Sequence, residues 1–279
     1  MKMKSIVPVF LLCTMFVIVP EMIPAKYPDS LDDLGYYLID YACTTSFPGE
    51  FTSIRDTKQR KQLLIEILLP LVLKANGDVM AQRSELVRIK KASFYLSFKD
   101  IRFIEQMADH YRVERGNYRA MLDELLVRVD ILPASLVIAQ AAIESGWGTS
   151  RFARHGNNLF GMRGLKGTGM APRELASDCT FSVSSFDNLQ ACVDYYLWNI
   201  NTRPDYEHLR KIRTQKTFLY DSVELAKGLH TYSENGDAYV DKVIDMIRSN
   251  NLKSYDLYRL KNEQPALSAV PAPVLLVER

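Results

Sequence analysis

The chain of 279 residues has little net charge and few of the side chains that bind metals or form redox centres. Its formal net charge is +2 at pH 7, so it lacks the strongly basic surface expected of a nucleic-acid-binding protein. Four cysteines are present, and the spacing of Cys43, Cys179 and Cys192 matches no zinc or redox motif. We therefore expect no nucleic-acid partner and no bound metal. With 47% apolar and 24% charged residues, the composition is that of an ordinary globular protein.

The N-terminus carries the pattern of an export signal. Lys2 and Lys4 precede an uncharged apolar stretch, residues 6–20, and a small residue follows at Ala25. A basic start, an apolar segment and a small residue are typical of a secretory signal, so we predict a signal peptide over 1–25. An uncleaved anchor that tethers the chain to the inner membrane is the alternative. Both interpretations export the body of the chain.

The helical spacing of leucines and isoleucines predicts that most of the chain is α-helical. A first helix begins at Thr57, and Pro70 is predicted to kink or end it. Asn76-Gly77 then predicts a turn, with Asp78 as the N-cap of a second helix. Further helices are predicted over 100–114, 118–128 and 132–144, from 189 to a break at 203–205, and over 206–213, 218–229 and the second part of 231–248.

Residues 145–188 have a different character from the helices on either side. They are rich in glycine, contain few apolar residues at helical spacing, and end in a β-like stretch at 179–183. This predicts a small irregular or β lobe. The chain is therefore predicted to be mainly α, as a lysozyme-like α+β domain in which a helical body and this lobe border a substrate cleft.

The helix predicted just before this lobe ends in a glutamate. Its alanines predict a slim, buried helix, and the stop signal Ser145-Gly146 follows Glu144 directly. Burial disfavours the charged form of a carboxyl group and raises its pKa, which is the condition that a general acid requires near neutral pH. The alternative is a structural glutamate that caps or forms an ion pair with a neighbouring loop.

The chain resembles the glucosaminidase family of bacterial cell-wall hydrolases over residues 136–164, LVIAQAAIESGWGTSRFARHGNNLFGMRG. The later segments FSVSSFDNLQACVD, at 181–194, and LAKGLHTYSENGDAYVDKVIDMI, at 225–247, are similar to the same family. The N-terminal half resembles its exported, Bax-like bacterial members. The resemblance implies an endo-β-N-acetylglucosaminidase that cleaves peptidoglycan glycan strands after N-acetylglucosamine and needs no cofactor.

The resemblance also implies roles for individual residues. It identifies Glu144 as the general acid that protonates the departing glycosidic oxygen. A second carboxylate is expected in the β lobe, where Glu174 is the first candidate and Asp178 the second, although the family's Thr-x-Glu-like context is absent there. Alternatively, the acetamido group of the substrate attacks, with Tyr232 helping to steady the charged sugar.

The remaining candidates each have a packing alternative. Asn158 and Phe160 in NNLFG are expected to shape the cleft floor, either by substrate contact or by turn formation and packing. Tyr239 is a candidate substrate contact or a helix-packing residue. For Tyr232 the alternative is a half-buried tyrosine that bonds to a loop carbonyl.

The resemblance to exported bacterial proteins implies that the body of the chain is periplasmic or tethered facing the periplasm. The chain is predicted to divide into four parts. We predict the signal or anchor at 1–25, a helical region at 26–130 packed on a catalytic domain at 131–262, and a disordered tail at 263–279. One rival function is a muramidase or lytic transglycosylase on the same fold. Another is a non-catalytic wall-binding protein, which the altered β-lobe motif favours. The sequence does not indicate an oligomeric state.

Overall fold

The computed structural model describes residues 36–41, 44–92, 95–165, 169–170, 181–215 and 221–261. The predicted signal at 1–25, the predicted tail at 263–279 and residues 171–180 lie outside these ranges. Within them the helices are α1 (Thr57–Lys91), α2 (Phe98–Tyr111), α3 (Tyr118–Arg128), α4 (Ala134–Ser145), α5 (Arg151–Gly156), α6 (Leu189–Thr202), α7 (Glu207–Gln215), α8 (Ser222–Ala226) and α9 (Asp237–Ser249). The strands are β1 (Tyr37–Ile39), β2 (Arg163–Leu165), β3 (Phe181–Val183) and β4 (Tyr258–Leu260).

The prediction of a mainly helical chain with a small β part is confirmed. Strands β2 and β3 pair in antiparallel register, with Arg163 opposite Val183, and form the β part that follows α4. The other two strands, β1 and β4, pair in parallel and bring the two ends of the described chain together. None of the helices in the described ranges has the length and apolar character needed to cross a membrane.

One hydrophobic core joins the helices on both sides of the predicted boundary at 130/131. It contains buried side chains of α1, α2 and α3 together with those of α4, α6 and α9. Helix α4 contacts both α1 and α9, so it lies at the centre of the body. The division into a region at 26–130 and a domain at 131–262 stays a prediction.

The turn predicted at Asn76-Gly77 is wrong, and so is the helix end that was one of the two alternatives for Pro70, because α1 continues through both as one helix of 35 residues. Pro70 is buried inside this helix and does not end it. Asp56, and not Asp78, caps a helix N-terminus, since its carboxylate accepts hydrogen bonds from the N–H groups of Lys58 (2.7 Å) and Gln59 (3.1 Å).

Contacts to the rest of the protein explain why Asn76 and Gly77 are helical. The Asn76 amide donates to the Leu132 carbonyl (2.7 Å) and accepts from the Leu132 N–H (3.2 Å), which fixes the segment before α4 against α1. An ion pair between Lys74 and Asp78 spans Gly77 along the helix surface. These contacts outweigh the weak helix propensity of the two residues.

The N-terminus of helix α4 is fixed by the side-chain carboxylate of Asp256, which lies just before β4. Pro133, at the N-cap position, has no side-chain hydrogen bond to offer. Asp256 supplies it instead, accepting from the N–H (2.8 Å) and the hydroxyl (2.7 Å) of Ser135. A negative charge at this end also interacts favourably with the helix dipole.

The chain leaves α4 through three successive residues in the left-handed region, Gly146 (φ 58°), Trp147 (φ 57°) and Gly148 (φ 79°). The Ser145 hydroxyl accepts from the Gly148 N–H (2.8 Å) and donates to the Ala141 carbonyl (2.5 Å), which stabilises this turn. A left-handed conformation is unfavourable for residues with a β-carbon, by roughly 1–2 kcal/mol each. The two glycines of ESGWG are therefore favoured by the backbone path after Glu144, independently of any chemistry.

Gly148→Ala is expected to destabilise the protein by about 2–4 kcal/mol. The added methyl carbon would stand 2.8 Å from the ring of Phe51, which is itself buried, and the backbone would be strained. Denaturant unfolding measures the effect. Gly116→Ala is the matched control, because a methyl group there meets nothing within 4 Å. Equal unfolding free energies for the two variants would contradict this account of the turn.

A buried arginine joins α3 to α7. Arg213 is fully buried and donates hydrogen bonds to the carbonyls of Val127 (3.1 Å) and Arg128 (2.9 Å) at the end of α3. It also donates to the Asp130 carbonyl (3.1 Å) and to the Asn201 side chain (2.9 Å). The C-terminal carbonyls of α3, which lack partners within the helix, are thereby satisfied.

Candidate active site

Glu144 lies in the last turn of α4, half-buried at the edge of a cavity of about 290 Å³. The other walls come from the loop before α9 and from the first two turns of α9. The lining residues are Ile143, Glu144, Ser233, Asn235, Ala238, Tyr239 and Lys242. The end of the central helix therefore faces an open space. Its lining residues come from α4, α9 and the loop before α9, so the predicted contribution of the β lobe to a cleft stays a prediction.

Tyr239 contacts the carboxyl group of Glu144 directly. Its hydroxyl donates a hydrogen bond to Glu144 Oε1 at 2.8 Å. The same hydroxyl accepts from Gln140 Nε2 at 3.1 Å, and Gln140 Oε1 accepts from the hydroxyl of Tyr196. A buried chain of hydrogen bonds thus runs from Tyr196 through Gln140 and Tyr239 to Glu144.

The direction of this chain follows from the amide of Gln140. Because the amide NH₂ can only donate, it occupies an acceptor position on the Tyr239 oxygen and leaves the Tyr239 proton directed at Glu144. Tyr239 is also held neutral, since burial and the nearby charge of Glu144 raise the pKa of its hydroxyl far above the usual value. Tyr239 is therefore a fixed donor to one oxygen of the carboxyl group.

Burial raises the pKa of Glu144 above its ordinary value. Two interactions oppose this shift: the hydrogen bond from Tyr239 and the positive charge of Lys242. Desolvation favours the protonated form, while these two neighbours stabilise the anion that remains after the proton has left. A raised pKa favours a carboxyl group that carries the proton, and neighbours that stabilise the anion favour release of that proton, as a general acid requires.

The second oxygen of Glu144 faces the loop that contains Gly161. A methyl group added at Gly161 would stand 3.7 Å from Glu144 Oε2, and this glycine has a left-handed φ of 64°. Glycine thus satisfies the backbone conformation and keeps the space before Oε2 free of a side chain. Oε1 is bonded to Tyr239 while Oε2 lies beside this space.

Tyr232 is placed in the packing position that the sequence left open. Its hydroxyl donates to the carbonyl of Phe160 at 3.0 Å, so it bonds to a loop carbonyl and not to Glu144. Its ring stacks on that of Tyr239, with centroids 5.2 Å apart and planes within 9°. Tyr232 therefore helps to fix the position of the Tyr239 ring by stacking on it, and that of the loop between α5 and β2 by its hydrogen bond.

Asn158 and Phe160 also hold this loop. Asn158 is only 1% exposed, and its amide donates to the carbonyls of Met162 and Ser184, both at 2.9 Å. Phe160 is buried and stacks on Tyr196 with centroids 4.0 Å apart. Neither side chain lines the cavity beside Glu144, and both make turn and packing contacts. Substrate contact by either residue stays a prediction.

The remaining candidates lie elsewhere. Glu174 and Asp178 are outside the described residues, and the identity of the second carboxylate stays a prediction. Trp147 packs against α1, where Lys61 Nζ lies 4.6 Å from the centre of its ring. Within the described ranges, no group of three or more histidine, cysteine, aspartate and glutamate side chains is arranged to hold a metal ion.

Sequence reasoning missed Gln140. A signal for it exists: it is a buried polar residue in an otherwise apolar helix, four positions before Glu144 and therefore on the same helix face. The sequence predicts Tyr239 as a substrate contact or a packing residue. Nothing in the sequence indicated that its hydroxyl would be the group bonded to the glutamate.

Comparison with known proteins finds similarity to a glucosaminidase family model and to two bacterial proteins. A family model described as Glucosaminidase, mannosyl-glycoprotein endo-beta-N-acetylglucosaminidase, matches residues 93–252. Protein bax of Escherichia coli (strain K12) is 33% identical over 197 residues, which are 68% of this chain and 70% of bax. Exo-glucosaminidase LytG of Bacillus subtilis (strain 168) is 26% identical over 216 residues, 71% of this chain and 68% of LytG.

Among solved structures, the catalytic domain of the autolysin Auto from Listeria monocytogenes aligns with a TM-score of 0.36 and 19% identity. The alignment covers 59% of this chain and 92% of that domain.

The family match makes this helical chain a glycosidase in class. It belongs to the glucosaminidase family, since the match covers more than half of its length and protein bax is similar over more than two thirds of both chains. The resemblance in the ESGWG and NLFG segments is thereby confirmed. The match begins in the connection before α2, so the family region includes α2 and α3.

Proposed function

We propose that this chain is an exported endo-β-N-acetylglucosaminidase that hydrolyses the glycan strands of peptidoglycan after N-acetylglucosamine, with Glu144 as general acid. The observation that carries the proposal is the carboxyl group of Glu144 at a cavity, with a raised pKa and a fixed donor on one oxygen, in a chain of the glucosaminidase family. LytG, a relative named as a glucosaminidase, supports the sugar specificity.

The hydrogen-bond chain suggests which oxygen of Glu144 carries the acidic proton. Because Tyr239 always donates to Oε1, the proton of the neutral acid belongs on Oε2, beside the space that Gly161 leaves free. From there it passes to the glycosidic oxygen as the bond to the anomeric carbon breaks. The Glu144 anion that forms is stabilised by Tyr239 and Lys242, so both favour the charge that develops in the transition state.

The positive charge on the sugar requires a partner that Glu144 does not supply. Glu174 is our first candidate and Asp178 the second, as a base for water or as a nucleophile. Attack by the acetamido group of the substrate is the alternative. In that case Tyr232 would act through its contact with Tyr239, because its own hydroxyl is bonded to the Phe160 carbonyl.

Tyr239→Phe is expected to lower kcat about 10–100-fold, because it removes a hydrogen bond to the anion that forms on Glu144. The same bond lowers the pKa of Glu144, so its loss raises that pKa further. Since the general acid must be protonated, activity declines as pH rises through its pKa. The basic limb of the pH–activity profile should therefore move to higher pH, which titration of the initial rate would show.

The control for this experiment is Tyr111→Phe. Tyr111 is another buried tyrosine whose hydroxyl donates to a glutamine, Gln82 (2.5 Å), in the contact between α2 and α1. The Tyr111→Phe substitution should leave the pH–activity profile unchanged. Gln140→Met should move the basic limb in the same direction as Tyr239→Phe, but less. An unmoved limb in Tyr239→Phe would exclude Glu144 as the titrating acid.

Mass spectrometry of the fragments from digested peptidoglycan tests the function itself. A reducing-end N-acetylglucosamine is expected. A reducing-end N-acetylmuramic acid would instead establish a muramidase, and a 1,6-anhydro product a lytic transglycosylase. Binding to sacculi with no release of fragments would favour a non-catalytic wall-binding protein.

The lengths of the fragments distinguish two modes of cleavage. An endo-acting enzyme shortens long glycan strands from the start of the digestion, whereas an exo-acting enzyme releases small units from strand ends. LytG is named as exo-acting. Early release of small units alone would therefore assign the same mode to this chain and overturn the endo assignment.

A further inference from the structure

Two large apolar side chains protrude from the surface where α1 meets α2. Tyr95 is 92% exposed and Phe98 is 76% exposed. Side chains of this kind usually lie at least partly against the protein, and adjacent exposed ones commonly mark a surface that binds something. Neither residue belongs to the surroundings of Glu144.

Basic side chains surround these two aromatics. Residues 88–102 contain five lysines and arginines and one acidic residue, although the whole chain has a net charge of only +2. Lys91, Lys99 and Arg102 are exposed and make no ion pair with any residue in the described ranges. Their charges are therefore available to a partner.

The contacts between the end of α1 and the start of α2 keep the two aromatic and three basic side chains on one corner of the protein. An ion pair between Arg88 and Asp100 (2.5 Å) joins the last turn of α1 to the first turn of α2. The Asp100 carboxylate also accepts from the N–H (3.0 Å) and the hydroxyl (2.7 Å) of Ser97 in a capping box, so the start of α2 is well fixed. Phe98 and Arg102 are one turn apart and share a face of α2.

We propose that this aromatic-basic corner, formed by Lys91, Tyr95, Phe98, Lys99 and Arg102, binds the surface of an anionic lipid bilayer. Aromatic rings are favourable at the boundary between lipid headgroups and acyl chains, and lysine and arginine are attracted to anionic headgroups. The corner presents both in one patch. A small number of inserted side chains gives weak, reversible binding, which would hold the enzyme near a membrane without immobilising it.

The proposal is independent of the catalytic assignment and is tested without measuring activity. The full chain is mixed with vesicles of phosphatidylcholine, alone or with phosphatidylglycerol, and amide hydrogen exchange is followed peptide by peptide. Because only the exchange over 95–102 is compared, membrane binding through the apolar residues 6–20 does not register. We expect exchange over 95–102 to become about tenfold slower on the anionic vesicles only.

Two variants and a control complete the experiment. The double variant Tyr95→Ser with Phe98→Ser, and the triple variant K91Q, K99Q and R102Q, should each lose this protection. Tyr41→Ser, at an exposed tyrosine elsewhere, should retain it. Equal protection on neutral vesicles, or none on anionic ones, overturns the proposal. Protection by purified sacculi but not by vesicles also overturns it, because the corner would then bind wall glycan.

Discussion

Glu144→Gln should abolish glycan cleavage and leave the fold intact. Glutamine has the same size as glutamate, and its carbonyl oxygen can still accept the hydrogen bond from Tyr239, so the surroundings of α4 need not change. An amide cannot supply the acidic proton, and loss of a general acid lowers kcat about 10²–10⁴-fold. Release of soluble fragments from purified peptidoglycan measures the loss, and the unfolding midpoint shows whether the fold survives.

The matched control is Glu234→Gln. Glu234 is an exposed glutamate in the loop between α8 and α9, next to the cavity-lining Ser233 and Asn235. The Glu234→Gln variant loses the same negative charge close to the cavity, but it changes no group in the buried hydrogen-bond chain. We expect it to retain activity. Substantial cleavage by Glu144→Gln would remove the central support for the proposed function. Equal losses in both variants would instead point to a general effect of charge in this region.

Arg213→Met is the substitution expected to damage the fold most, by about 3–5 kcal/mol. It removes a fully buried guanidinium that donates to the carbonyls of Val127, Arg128 and Asp130. Methionine can fill the space but can donate to none of these acceptors. The carbonyls of Val127 and Arg128 would lose their buried donor, whereas the Asp130 carbonyl keeps the hydrogen bond from the Asn201 amide (2.9 Å). The Asp130 carboxylate would also lose a nearby positive charge, now 3.9 Å away.

Denaturant unfolding of Arg213→Met should be compared with that of Lys211→Met. Lys211 lies on the same helix α7, is exposed, and forms only a surface ion pair with Glu207. Surface pairs contribute little to stability, so this control should change the unfolding free energy slightly. Similar losses in both variants would contradict the role assigned to Arg213.

Helix boundaries were predictable where the signal is local. The structure reproduces the predicted helix over 118–128, because the Asn117 side chain accepts from the N–H groups of Arg119 and Ala120 and fixes its start. Pro70 and Asn76-Gly77 misled the prediction for the opposite reason. Their local preferences are overridden by burial and by the bonds from Asn76 to Leu132, a residue 56 positions away.

The candidate site was predictable in part. Glu144 was singled out because a carboxyl group at the end of an apolar helix is unusual, and the structure places it at a cavity. The sequence could not separate the two tyrosines of the closing segment, which are seven positions apart. The turn and helix between them direct Tyr239 to the glutamate and Tyr232 to a loop carbonyl. Only the folded arrangement assigns those two partners.

The pairing of β1 with β4 has a consequence for the order of folding. Next to these strands, Lys261 Nζ contacts Asp40 at 2.7 Å across 221 positions of sequence. Within the described ranges β1 has no other strand partner, so its pairing cannot form before residues 258–260 have been synthesised. Pairing between distant strands is slow, because closing the chain between them costs conformational entropy before any contact is gained. We therefore expect the first described strand to dock late in folding.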